Sequence, residues 1–254
     1  MLRHVYLLRS SWTRLAELIY WPLVQMLMWG FLQSYLNTQT GSLAHAGGTL
    51  IGAILLWDIL IRGQLGLSVS FLEEMWSRNI ANLFISPLRP GEFLIALTGM
   101  SFIRLVIGVV PVTLLAMWFF GFNLWSLGFG LGAFFANLLL TAWAVGTIVS
   151  GLILRNGMGA ENLAWTLMFL IMPVTAVFYP VGVLPHFIQP IAWALPPTYV
   201  FEGMRALLMT HIFRANLMIQ ALVLNAVWFA AAILAYLALL ASARRNGSLM
   251  QTGE

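Results

Sequence analysis

The chain contains no cysteine, and all twelve of its basic residues are arginine, so it contains no lysine either. Without cysteine, disulfides, thiolate nucleophiles and iron–sulfur ligation are excluded. Without lysine there is no P-loop, because that phosphate cradle uses a lysine to reach the β- and γ-phosphates. The chain is therefore not itself a standard P-loop ATPase. Charge of either sign is also scarce. Only 8% of the 254 residues are charged, against about 25% in soluble globular domains. So little charge cannot clothe a water-facing surface, and the bilayer is expected to be the main solvent. The formal net charge of +4 is spread along the chain rather than gathered in a patch, so no nucleic-acid partner is expected. The opening "MLRHVYLLRSSWTRL" has arginines throughout and no short apolar run with a cleavage site, so no secretory signal is expected there.

What fills the sequence is hydrocarbon: 61% of residues are hydrophobic, with 17 Phe and 11 Trp. A spanning helix needs about 20 mostly apolar residues. Six segments qualify: Leu18–Leu36, Thr49–Ser68, Phe93–Phe120, Leu124–Leu154, Asn162–Leu184 and Leu217–Ser242. None alternates apolar and polar residues as a barrel strand would, so the spans are read as helices.

Cytoplasmic loops collect arginine. Arg3, Arg9 and Arg14 precede the first span, Arg78 and Arg89 follow the second, Arg155 follows the fourth, and Arg244 and Arg245 close the sixth. The loops "NTQTGSLAHAGG" and "FGFN" carry none. This alternation puts both termini in the cytoplasm. The fold expected is an all-α integral membrane protein with six transmembrane helices in one permease-sized domain, residues 1–254. Arg205 and Arg214 fall on the outer side, against the pattern.

Three segments outside the spans stand out. In residues 1–17 and just beyond, Val5, Leu8, Trp12, Leu15 and Ile19 mark one helical face, as in an amphipathic interfacial helix. In the loop at 70–92, Leu72, Met75, Trp76, Ile80 and Leu83 mark an apolar face. Glu73, Glu74, Ser77, Arg78 and Asn82 mark a charged one, and Pro87 and Pro90 end the helix. Such a helix either lies solvated or docks a cytosolic protein. The stretch at 180–216 begins with half of the ten prolines yet stays apolar. Short broken helices dipping into the outer leaflet, with their freed backbone groups covered, reconcile those two features.

Ionisable residues at membrane depth should face protein or a cavity. Asp58 and Arg62 form an i, i+4 pair in the second span, with Arg104 of the third as a possible third member. They either line a path for an anionic or zwitterionic solute or lock two spans together. Gln25, Gln33 and Asn137 are further polar candidates. Two small-residue stripes on the fourth span, Gly128/Gly132/Ala136 and Ala142/Gly146/Ser150, suit close helix packing. The four histidines show no ligand spacing, and no metal site is expected.

The segment "FLEEMWSRNIANLFISPLRPGEFLIA", the six-span plan, the amphipathic N-terminus and the late "LPPTYVFEGMRALL" together resemble the membrane subunits of type-2 ABC exporters. The resemblance covers essentially the whole chain. It implies a permease subunit, not an enzyme, that dimerises and docks two copies of a cytosolic ATP-binding subunit. It binds no cofactor itself; ATP and Mg²⁺ belong to the partner. The helix from about Glu73 to Phe84 would be the coupling helix, with Glu73, Glu74, Trp76, Arg78 and Asn82 as docking residues. Arg155 and Glu161 in the fourth loop would form either a second ATPase contact or a plain turn. Tyr199, Glu202 and Arg205 become candidates for an outer gate, the Glu202–Arg205 pair being equally readable as structural. The implied activity is ATP-driven efflux of a lipid-like, hydrophobic or lipid-linked glycan substrate from a bacterial cell, across its inner membrane. The competing reading is a secondary transporter or channel built on Asp58.

Overall fold

The computed structural model describes residues 12–39, 48–77 and 90–245. They form helices throughout: α1 (Trp12–Gln39), α2 (Thr49–Trp76), α3 (Pro90–Phe120), α4 (Phe129–Asn156), α5 (Leu163–Val174), α6 (Gln189–Trp193), α7 (Pro196–Thr210) and α8 (Ala215–Arg245). Short 3₁₀ turns intervene at Leu124–Leu127, Met158–Ala160 and Val181–Val183. There is no strand among the described residues.

Among the described residues, four helices are long and apolar enough to cross a membrane: α2, α3 from Gly91, α4 and α8. The helix α1 is as long as α2 but more polar, and lies outside that set. The helix α5 has 12 residues, or about 18 Å of rise, too short for a hydrocarbon core of about 30 Å. The expected fifth span, Asn162–Leu184, is thereby corrected. Its helix stops at Val174, and Ala176 takes a positive φ of 52° that begins an irregular stretch. Pro180 and Pro185 lie beyond, so the helix has no route to resume before α6.

Two helices form the centre. Residues 51–60 of α2 are buried in unbroken succession, around the whole circumference, as a helix surrounded by others must be. It packs on α1, α3 and α4, while α4 also carries the largest interface of the bundle, with α8. Small residues set these distances. A Cβ on Gly63 would lie 2.8 Å from the Ala142 methyl, and one on Gly146 would lie 3.2 Å from the Gln64 carbonyl oxygen. The Ala142/Gly146/Ser150 stripe is thus the α2–α4 contact. The Gly128/Gly132/Ala136 stripe faces outward instead, with nothing near Gly128 or Gly132.

Two boundaries differ from the sequence expectation. The second-span helix does not end at Ser68 but runs to Trp76, because Phe71 and Leu72 continue its buried face and no breaker intervenes. Residues 12–17 belong to the same unbroken helix as the first span, with Pro22 inside it. Residues 1–11 of the expected interfacial helix lie outside the described residues.

Candidate functional site

Among the described residues, four groups of polar side chains inside the bundle bear on function. In the first, Arg62 donates its Nε to both carboxylate oxygens of Asp58, at 3.0 and 2.8 Å, one turn apart on α2. The guanidinium lies over Gly108 of α3, where an added Cβ would sit 2.7 Å from an Arg62 Nη and 3.0 Å from the Leu18 carbonyl of α1. The pair is therefore wedged among α1, α2 and α3.

The second group departs from expectation. Arg104 Nη2 donates to Glu73 Oε2 at 2.7 Å, so its ion pair is with the end of α2 and not with Asp58–Arg62. The reason is direction. Side chains on a helix lean toward its N-terminus. The helices α2 and α3 run antiparallel, with Gly66 beside Ser101 and Gly63 beside Leu105. Glu73 thus leans back into the bundle while Arg104 leans out to meet it. Glu74 is buried. Neither acid lies on a solvated loop helix, because both belong to the last turns of α2. Trp76, the last residue of α2, is half-exposed. Arg78 and Asn82 lie outside the described residues.

A third group joins α4 to α8. The Asn225 side-chain amide donates to the Asn137 carbonyl and to Asn137 Oδ1, and Thr141 Oγ1 donates to Asn225 Oδ1 at 2.7 Å. Asn225 escaped the sequence reading, since a lone Asn in an apolar run announces no partner. Its spacing in the sequence gives no clue, for the partners are 84 and 88 residues away.

The fourth group surrounds the irregular stretch after α5. Arg205 Nη1 donates to the carbonyls of Ala176 and Val177, at 2.9 and 3.1 Å, and its Nη2 donates to Glu202 Oε1 at 2.9 Å. The same Glu202 oxygen accepts the Val181 backbone N–H at 2.8 Å. One buried charge pair on α7 therefore satisfies backbone groups that the broken helix leaves bare, as irregular backbone in a membrane requires. Tyr199, one turn before Glu202 on α7, packs edge-on against Trp193 of α6 at 4.9 Å.

The other candidates sit apart. Gln33 Oε1 accepts the Ile51 N–H at 3.1 Å and so caps the first turn of α2. Gln25 is partly buried on α1. Arg155 is exposed in the last turn of α4 and Glu161 partly buried beyond it, separated by the left-handed Gly157.

Four long apolar helices, a fifth cut short, and proline-broken pieces before the last helix make an ordered pattern. A family model described as ABC-2 type transporter matches residues 7–209. The chain belongs to the ABC-2 type transporter family. No curated protein matches the sequence significantly. The match takes in α1 to nearly the end of α7, and so every charged group described above. As an ABC-2 permease the chain is a multi-pass membrane component of an ABC transporter. Among the described residues, both carboxylate oxygens of Asp58 and one oxygen each of Glu73 and Glu202 meet an arginine of the same chain.

Proposed function

We propose that this ABC-2 permease exports a lipid-like, hydrophobic or lipid-linked glycan substrate across a bacterial inner membrane. A separate ATP-binding subunit supplies the energy, and the permease alternates between inward- and outward-open states. The observation that carries this reading is the family match over residues 7–209 in a chain without a lysine for a P-loop. Export rather than uptake, the homodimer and the two ATPase copies rest on the resemblance to type-2 exporters.

Docking is assigned to the segment that follows Trp76, with Arg78 and Asn82 as its polar contacts and Arg155 and Glu161 as a second contact. Glu73 and Glu74 are left out of the contact surface, since one is paired within the bundle and the other buried. The reading based on Asp58 as a coupling-ion site gains no support, because Arg62 occupies both of its oxygens.

The test is a pull-down from native membranes in mild detergent, through a tag on the C-terminus. A P-loop ATPase in stoichiometric amount is expected, and it should be lost on Arg78→Glu with the permease still monodisperse. A permease that purifies alone and moves solute in liposomes without ATP would overturn the proposal.

A further inference from the structure

Two arginines run against the charge pattern of the loops, and the fold accounts for one of them. Arg205 is answered by Glu202 and two backbone carbonyls. Arg214 is exposed and has no ion-pair partner among the described residues. Its end of the bundle also gathers the starts of α2 and α4 and the end of α7. A Cβ on Gly52 would lie 3.2 Å from Leu208, and one on Gly130 would lie 2.8 Å from Leu207 and 3.3 Å from Phe213.

No carboxylate is available there. Of the eight acidic residues, Glu17 and Glu92 stand near the starts of α1 and α3, Glu73 and Glu74 at the end of α2, and Glu161 just past α4, all at the opposite end. Glu254 follows α8 by nine residues. The 31 residues of α8 rise about 46 Å, further than a nine-residue tail can return. Asp58 and Glu202 lie within the bundle, each held by an arginine. The connections at 40–47 and 121–128 contain no acid. An anion that meets Arg214 therefore comes from outside the chain.

The turn that carries Arg214 is fixed. His211 takes a φ of 56° at the end of α7, where its N–H donates to the Leu207 carbonyl at 3.0 Å. Phe213 packs on Phe129 and Phe134, with ring centroids 6.1 and 6.2 Å away. The Arg214 carbonyl accepts the Leu217 N–H at 3.1 Å as α8 begins. Phe129 and Ile212 are left outward, 85% and 62% exposed, beside the exposed His211 and Arg214. Such apolar exposure at the end of a spanning bundle belongs at the membrane interface, and it sets the headgroup level at Arg214.

We propose that Arg214, with His211 beside it, binds the phosphate of an anionic phospholipid in the leaflet opposite the C-terminus. Phe129 and Ile212 lie along the lipid's acyl chains. A cation at a bundle end without carboxylates attracts an anionic headgroup, and the guanidinium fork matches a phosphate with two parallel bonds. The inference depends neither on the exported substrate nor on the ATPase.

The lack of cysteine lets one fluorophore report on this site alone. Bimane is attached at Asn216→Cys, exposed two residues past Arg214, and the permease is reconstituted in phosphatidylcholine liposomes. Phosphatidylglycerol brominated near the carbonyl end of its chains is added as a contact quencher, with brominated phosphatidylcholine as the reference. Brominated phosphatidylglycerol should quench at about fivefold lower mole fraction. Arg214→Gln should bring the two curves together, and Arg214→Lys should keep most of the preference. In the parent protein the preference should shrink as salt is raised, a reading that needs no variant. Equal quenching by the two lipids in the parent protein overturns the proposal, as does a preference that ignores salt or survives Arg214→Gln. A preference abolished by excess inorganic phosphate at constant ionic strength marks a site for soluble phosphate and overturns it too.

Discussion

Asn225 of α8 donates its side-chain amide to Asn137 of α4 twice, to the backbone carbonyl at 3.0 Å and to the side-chain oxygen at 3.1 Å. Thr141, one turn on, closes the group by donating to Asn225. Hydrocarbon offers no competing partner for these groups, and α4 and α8 run parallel here, with Gly151 of α4 beside Tyr236 of α8 lower down. The contact fixes the rotation and register of the largest interface in the bundle.

Replacing Asn225 by Leu removes all three bonds and leaves the Thr141 hydroxyl its bond to the Asn137 carbonyl. Interhelical bonds in membranes average about 0.6 kcal/mol and reach about 1.7. A loss of about 1–2 kcal/mol is expected in a reversible unfolding titration in mixed micelles. Asn225→Asp should cost more than Asn225→Leu, because it turns the amide donor into a buried charge with two acceptors facing it.

Gly108 and Gly132 make a matched pair for alanine substitution. At Gly108 a methyl meets the Arg62 guanidinium and the Leu18 backbone oxygen; at Gly132 it meets nothing within 4 Å. Gly108→Ala should therefore lower the thermal midpoint of the purified protein by displacing the Asp58–Arg62 pair. Gly132→Ala should leave the midpoint unchanged or raise it, since Ala is favoured over Gly in a helix by about 0.8–1 kcal/mol.

Arg205→Met strands the Ala176 and Val177 carbonyls and leaves the Glu202 carboxylate partly buried without its cation. Breaking a buried pair in this way costs about 3–5 kcal/mol. The variant is expected to lose protease resistance between α5 and α7, read as new cleavage in residues 174–196. The double variant Glu202→Gln/Arg205→Met should lose less than Arg205→Met alone, because the orphaned charge is gone while Gln can still accept the Val181 N–H.

Gln33→Leu deprives the Ile51 N–H of its acceptor in the first turn of α2. A buried donor left bare costs about 1–3 kcal/mol. Gln33→Glu keeps an acceptor at the positive end of the helix dipole. Thermal melts should rank the parent protein and Gln33→Glu above Gln33→Leu.

Much of the architecture was legible in the sequence. Runs of apolar residues located α2, α3, α4 and α8, since only a helix satisfies its own backbone in hydrocarbon. The prolines from Pro180 to Pro197 announced that no continuous helix could occupy that region, and α6 and α7 are short. The charged passage after Phe71 begins inside α2: Leu72 to Trp76, which share its amphipathic period, are the end of that long helix, while Arg78, Ile80, Asn82 and Leu83 lie outside the described residues. The fifth span was overestimated. Apolarity alone is indifferent to whether Thr175 to Tyr179 continue a helix or depart from it.

The sequence by itself determined the solvent this protein lives in and the rough place of its four long apolar helices. Those follow from composition and from the length of apolar runs, which are local quantities. Tertiary structure alone decided which charges meet. Arg104 could have joined Asp58 and Arg62; it turned to Glu73 because α2 and α3 are antiparallel and each side chain leans toward its own N-terminus. Asn137 found Asn225, and Arg205 found the carbonyls of a broken helix 28 and 29 residues away. Partner choice of this kind depends on helix register and direction in three dimensions. Hydrocarbon makes it binding, because a polar group there has no water to fall back on.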